Sequence, residues 1–173
     1  MKTEKFTYLG YFETTGGPVC ITSTSNLSKW TGCEYETGRY WDMIDKIELK
    51  EILTQYDDDF LIFNTDTGNF LLFESNKKII VVEAIYMEDD FSIDLSGIIF
   101  DIKQEINLPI QLNGLTVFFD SALTLDDQFK KEAICKTAGN HCFDTAVINF
   151  QANNANVVVL KTEAVHLLGV VFY

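Results

Sequence analysis

The side chains of this 173-residue chain that could carry out chemistry are few: two histidines, four cysteines and a surplus of carboxylates. His166 lies inside the apolar run AVHLLGVVFY, where a buried structural imidazole is the expected role rather than a general base. His141 follows Gly139-Asn140 in a turn-like context, and nothing nearby in sequence marks it as catalytic. Cys20, Cys33, Cys135 and Cys142 lack the paired close spacings of a zinc site, and Cys135, His141 and Cys142 are too irregularly placed to supply them. Gly16-Gly17-Pro18 has neither the lysine nor the following helix of a phosphate loop, so it reads as a tight turn into the strand from Val19 to Thr22. Asp57-Asp58-Asp59 suggests calcium, but an EF-hand loop counted from Asp57 requires Gly and Glu where the chain has Ile62 and Gly68. Serine hydrolase elbows and dinucleotide fingerprints are absent as well. The expectation is a protein that binds rather than catalyses, with no metal and no cofactor.

The carboxylates carry more information as a distribution. Lys plus Arg is 13 against 26 Asp plus Glu, a formal charge of −13 that opposes contact with nucleic acid backbones and with anionic membranes. From Asp42 to Glu105 there are 16 acids and 5 lysines, so this window holds most of the excess. If its loops share one edge of the fold, they form a negative patch that can steer a cationic protein partner; acidity that serves only solubility is the competing explanation. Tyrosine and tryptophan anchor interfaces because they bury much area at little rotamer cost. Tyr40 and Tyr56 stand beside these acids, whereas Trp30 is expected in the core. The expected partner surface therefore combines Asp57, Asp58, Asp59, Glu88, Asp89 and Asp90 with Tyr40 and Tyr56. A small-ligand site, carbohydrate-directed and using Trp30 or Trp41 as a stacking platform, is the alternative.

These residues need a scaffold, and its texture is β. Short runs rich in β-branched and aromatic residues alternate with Asn, Asp and Gly, giving a mainly β fold of antiparallel sheets with one or two short helices. Phe60–Phe63 and Phe70–Phe73 flank a turn-rich Asn64–Asn69 and read as a hairpin. Further strands are expected at Lys78–Tyr86, Gly97–Ile102, Leu115–Phe119, Phe143–Phe150, Val157–Leu160 and Val165–Tyr173. Tyr35–Ile44 and Asp126–Lys136 are the helix candidates, the latter with acids first and lysines last, as the helix dipole favours. The chain is long enough for a real core and forms a single domain. Asp59–Thr65 aligns with Asn156–Thr162 at an offset of 97 residues, which two related β units, about 1–90 and 91–173, or chance likeness between β segments would both explain. Neither a signal-like N-terminal run nor a stretch long enough to span a bilayer occurs, so the expected location is the cytoplasm.

Gly16-Gly17-Pro18-Val19, then Trp30-Thr31-Gly32 with Tyr35, then Phe60–Phe63 and Ile79–Tyr86 ending in acids, resemble the immunity protein 21 family. Gly114-Leu115 and Phe118-Phe119-Asp120-Ser121, followed by Gly139 and a terminal β stretch, look like that family's second half. Where the family pattern has Asp-Tyr-Asp-Arg-Ala, this chain has Glu34-Tyr35-Glu36-Thr37-Gly38, with Arg39 displaced. The resemblance implies an intracellular protein that neutralises a cognate toxin of a bacterial polymorphic toxin system by binding it; the acidity would suit a basic nuclease as that toxin, whose activity the sequence leaves open. Gly16, Gly17, Pro18, Trp30, Gly32 and Gly114 would then serve structure. A similar strand grammar occurs in competence protein J, a nuclease inhibitor.

Overall fold

The apolar runs form strands, and their alternation decides which layer each side chain enters. The computed structural model describes residues 6–33, 38–47, 51–64, 68–76, 78–83, 99–123, 142–143, 145–161 and 166–173. Among these, the strands are β1 (Thr7–Glu13), β2 (Val19–Ser23), β3 (Leu53–Gln55), β4 (Leu61–Phe63), β5 (Asn69–Ser75), β6 (Lys78–Glu83), β7 (Ile99–Asp120), β8 (Cys142–Phe143), β9 (Thr145–Lys161) and β10 (His166–Phe172). A 3-10 helix, Thr24–Lys29, and one α-helix, α1 (Arg39–Ile47), complete the described elements. The strands follow the order β3-β4-β2-β7-β9-β10-β6-β5-β1-β8, antiparallel except for the β1–β8 pair. The expected mainly β, antiparallel fold with few short helices is the fold observed.

The β7–β9 ladder organises everything else. It runs from Ile99 opposite Lys161 to Phe119 opposite Thr145, and its register shifts between Asn107 and Leu112, so that residues 108–111 face Asn153 alone. Extra residues on one strand bend a ladder and increase its twist, and Pro109 sits inside this irregular stretch where no regular pairing is demanded of it. Past the bend, β7 carries β2, β4 and β3; before it, β9 carries β10, β6, β5, β1 and β8. The two parts close over a common core. Phe118 contacts Phe12, Phe150 and Phe172 at ring-centroid distances of 6.4, 6.2 and 5.9 Å, and Phe63 meets Phe70 at 5.8 Å.

Because successive strand residues point to opposite faces, the remaining residues of the smaller part look outward. Cys20, Phe60, Ile62, Val117 and Phe119 form a second apolar layer beneath Leu27, Trp30, Met43 and Ile47. Tyr40, Met43, Ile44 and Ile47 are spaced as one helical stripe, which is why α1 lies down on this layer. Trp30 is 1% exposed, as expected of a core tryptophan, and its indole N–H donates to the Ser121 carbonyl at 3.0 Å. A third apolar cluster, including Leu71, Phe73, Ile80 and Val82, occupies the other face of the larger part.

Several expectations change. Phe60–Phe63 and Phe70–Phe73 do not form a hairpin: β4 pairs with β2 and β3, whereas β5 pairs with β1 and β6. Both strands are buried along consecutive residues, the pattern of strands covered on both faces, so the connection crosses between layers. The hairpin lies one step later, between β5 and β6, with Asn76 at φ 43° in its turn. The described part of the expected Gly97–Ile102 strand, from Ile99 on, and Leu115–Phe119 are parts of one strand, β7, and Phe143–Phe150 and Val157–Leu160 fall largely within β9. The helix expected over Tyr35–Ile44 is described from Arg39 and continues to Ile47; the one over Asp126–Lys136 lies outside the described residues. Gly16 and Gly114 hold φ of +97° and +87°, and Gly32 is also in the left-handed region, but Gly17 is not. The pair at the centre of the β2–β7 ladder, Ile21 opposite Phe118, is separated by the 97 residues of the sequence alignment. One strand further out, Ile21 faces Leu61 while Phe118 faces Ala146, not the Val158 that lies 97 residues after Leu61. Among the described residues no helix is long and apolar enough to cross a membrane.

Candidate partner-binding surface

The N-terminus of α1 is fixed by the preceding turn: the Arg39 backbone N–H donates to Thr31 Oγ1 at 3.0 Å and that of Tyr40 to the Gly32 carbonyl at 3.0 Å. Both bonds satisfy amide donors that a helix start leaves without an intrahelical partner. This sets Arg39 over the loop that follows β3. Its guanidinium pairs with Asp57, and it lies 5.1 Å from the ring centroids of both Tyr56 and Phe60. Burial pulls the Arg39 pKa down, but the bonds to Tyr56 and Asp57 outweigh it and the net shift is upward. The other carboxylate oxygen of Asp57 accepts the backbone N–H groups of Asp59 and Phe60 at 2.8 and 3.0 Å, folding the acidic run into a tight turn. Beneath it, buried Thr22 donates its hydroxyl to the Asp59 carbonyl at 2.6 Å.

The network continues along the helix. Tyr56 donates its hydroxyl to Asp42, which also pairs with Lys46 at 2.9 Å one helical turn on. The Tyr56 and Lys46 bonds hold the Asp42 carboxyl below its ordinary range. Burial, reinforced by the Asp42 carboxylate, pushes the Tyr56 phenol above its ordinary 10.0. Lys29 takes Asp59 at 2.7 Å. Among the described residues of this face, Lys29, Arg39 and Lys46 are each paired with an acid.

Two carboxylates are left over. Asp45 and Asp58 are exposed, and neither has a partner among the described residues. Trp41 is 57% exposed, with the Tyr40 ring against it edge-on at 5.0 Å. Trp41 and Asp45 are separated by one helical turn, so their side chains are neighbours on the outer face of α1. The surface is thus a rigid shelf bearing one large exposed aromatic ring and unpaired negative charges.

The expected partner residues divide accordingly. Asp57 and Asp59 are brought together with Tyr56, but in ion pairs and turn bonds that build the shelf, and Asp58 alone of the run projects freely. Tyr40 is half-buried between the apolar layer and Trp41. Glu88, Asp89 and Asp90 lie outside the described residues. The sequence placed neither Trp41 nor Asp45 on the partner surface; Trp41 entered only as a stacking platform for a small ligand. Their signal was the helical stripe itself: with positions 40, 43, 44 and 47 turned inward, 41 and 45 must face water.

Asp120 was also passed over, as a structural residue. Fully buried, it accepts the backbone N–H and the hydroxyl of Thr15 at 2.7 and 2.6 Å on one oxygen and the Ala122 N–H at 2.9 Å on the other. It thereby ties the turn at Gly16-Gly17-Pro18 to the end of β7, with Ser121 N–H donating to the Pro18 carbonyl at 3.1 Å.

Compared with protein-family models, with curated proteins and with solved structures, the chain finds no match.

Proposed function

We propose that this chain is an immunity protein, acting in the cytoplasm without a catalytic step, that binds a cognate bacterial toxin domain and neutralises it by covering its active region. The observation that carries this reading is the shelf on α1: an exposed tryptophan, held on a helix clamped by ion pairs, with Asp45 and Asp58 left without cations among the described residues. Large aromatic side chains that are immobile before binding make the strongest interface anchors, because little rotamer freedom is lost when they are buried. Unpaired carboxylates on the same shelf as the anchor select a partner that presents Lys or Arg, as a toxin acting on nucleic acid does. The net charge of −13 draws such a partner from a distance.

Co-expression tests the reading in cells. The proposed partner, a toxin domain to be sought in the adjacent gene, should arrest growth alone and be tolerated with the wild-type chain. Trp41→Ala combined with Asp45→Lys should abolish the protection at unchanged protein levels. Full protection by that variant would remove the shelf from the interface.

A further inference from the structure

A different part of the molecule holds a cavity of about 880 Å³ lined by described residues. It opens where the β7–β9 ladder bends. The bend at Asn153 carries β9 away from the tip of the β5–β6 hairpin, and the two strands leave a groove between them. Tyr173 closes one side. Its backbone is bonded to Asn153 and Asn154, and its hydroxyl donates to Asn156 Oδ1 at 3.1 Å, so the ring is held in place although 42% exposed.

The lining argues for the ligand. Asn76, Asn149, Gln151 and Asn153 are among the lining residues, the last three exposed on one face of β9, and Ile79 adds an apolar residue to the lining. An amide offers donors and an acceptor at one site, the match for a hydroxyl, which also does both. The charged side chains of the lining are Glu74 and Lys78, one of each sign, so the groove has neither the cation cluster that phosphate recognition needs nor the several carboxylates that a divalent cation needs. Volume, amides in the lining and a fixed aromatic ring at the rim are the features of a site for a ligand of drug-like size with many hydroxyls. A second, more apolar pocket of about 230 Å³, with Phe6, Ile102, Val158 and Val171 in its wall, shares Tyr173 and Lys78 with the groove. Both Trp30 and Trp41, the stacking platforms considered from sequence, lie outside these two cavities.

We infer that the groove is a binding site for a short neutral oligosaccharide, with Tyr173 as the stacking surface and the amides of Asn149, Gln151 and Asn153 as the hydroxyl readers. The site is independent of the α1 shelf, and its ligand does not compete with a protein bound there.

The test is a titration of the isotope-labelled full chain with maltotriose, cellotriose and triacetylchitotriose, following the side-chain amide resonances by NMR. At least one trisaccharide should shift the signals of Asn149, Gln151 and Asn153 saturably, leaving those of the α1 face in place. Asn149→Ala and Gln151→Ala, both at exposed positions and harmless to folding, should each weaken that binding about tenfold, the effect of one lost hydrogen bond at the upper end of its range. Tyr173→Ala should weaken it at least as much. Absence of saturable shifts with all three sugars up to roughly 10 mM, a range that covers weak single-site binding, would overturn the inference, as would binding that all three variants leave unchanged.

Discussion

Arg39 does several jobs with one side chain: it neutralises Asp57, lies against Tyr56 and Phe60, and donates to the Lys29 carbonyl at 3.2 Å. It thereby fixes the helix that bears Trp41. Trp41 itself is solvent-facing, so Trp41→Ala should change thermal stability by no more than about 0.5 kcal/mol, the range of ordinary surface substitutions. The same change should cost about 2 kcal/mol or more in partner affinity, as loss of an interface anchor does; calorimetry on the free chain and on the complex separates the two. Asp120 is the opposite case. Asp120→Ala removes a buried acceptor of three hydrogen bonds, from exposed Thr15 and half-buried Ala122, and denaturant unfolding should show a loss of about 1–3 kcal/mol. Tyr56 and Asp42 set a pH window. The raised Tyr56 pKa means stability fully present below the ordinary 10.0 and lost as pH rises through the folded value. The lowered Asp42 pKa means stability present above the ordinary carboxylate range and lost as pH falls through the folded value. Melting temperatures followed against pH should therefore fall off on both sides, and Tyr56→Phe should flatten the alkaline limb.

At the scale of elements, the turn between β1 and β2 shows where glycine is required. Gly16, at φ +97° with nothing near its missing Cβ, is constrained by conformation alone, and Gly16→Ala should destabilise by about 1–2 kcal/mol, the cost of a left-handed backbone in an L-residue. Gly17→Ala meets only the Tyr40 hydroxyl at 4.0 Å and should be tolerated; paired thermal melts distinguish the two. Element types were readable from the sequence in places: the strand from Val19 to Thr22 after the glycine turn and the buried Trp30. Partners were not. β4 is apolar at all three of its positions, a pattern that says it is covered on both faces but not by which strands, so Asn64–Asn69 was read as a hairpin when it joins two layers. β7 was read as separate strands because Lys103–Asn107 is polar and Pro109 interrupts the run, features that a bent strand with an irregular register accommodates. The site was half legible. Composition located the acids and aromatics, but which carboxylates remain unpaired depends on Arg39 and Lys29, residues 18 and 30 positions away from their partners.

For the whole molecule, the pairing of Asp57 and Asp59 changes how the charge should be tested. Reversing the entire Asp57–Asp59 run breaks the Arg39 and Lys29 pairs and perturbs the fold along with the surface. Asp45 and Asp58 can be reversed without breaking any described bond, so they isolate the electrostatic contribution. The most direct measurement is the association of the purified chain with the proposed partner, a toxin domain to be sought in the adjacent gene, followed by stopped-flow fluorescence across a salt series. The account predicts fast association that slows steeply as salt rises, a weaker salt dependence for Asp45→Lys with Asp58→Lys, and faster dissociation for Trp41→Ala. Absence of binding, or binding whose rates all of these substitutions leave unchanged, would contradict it.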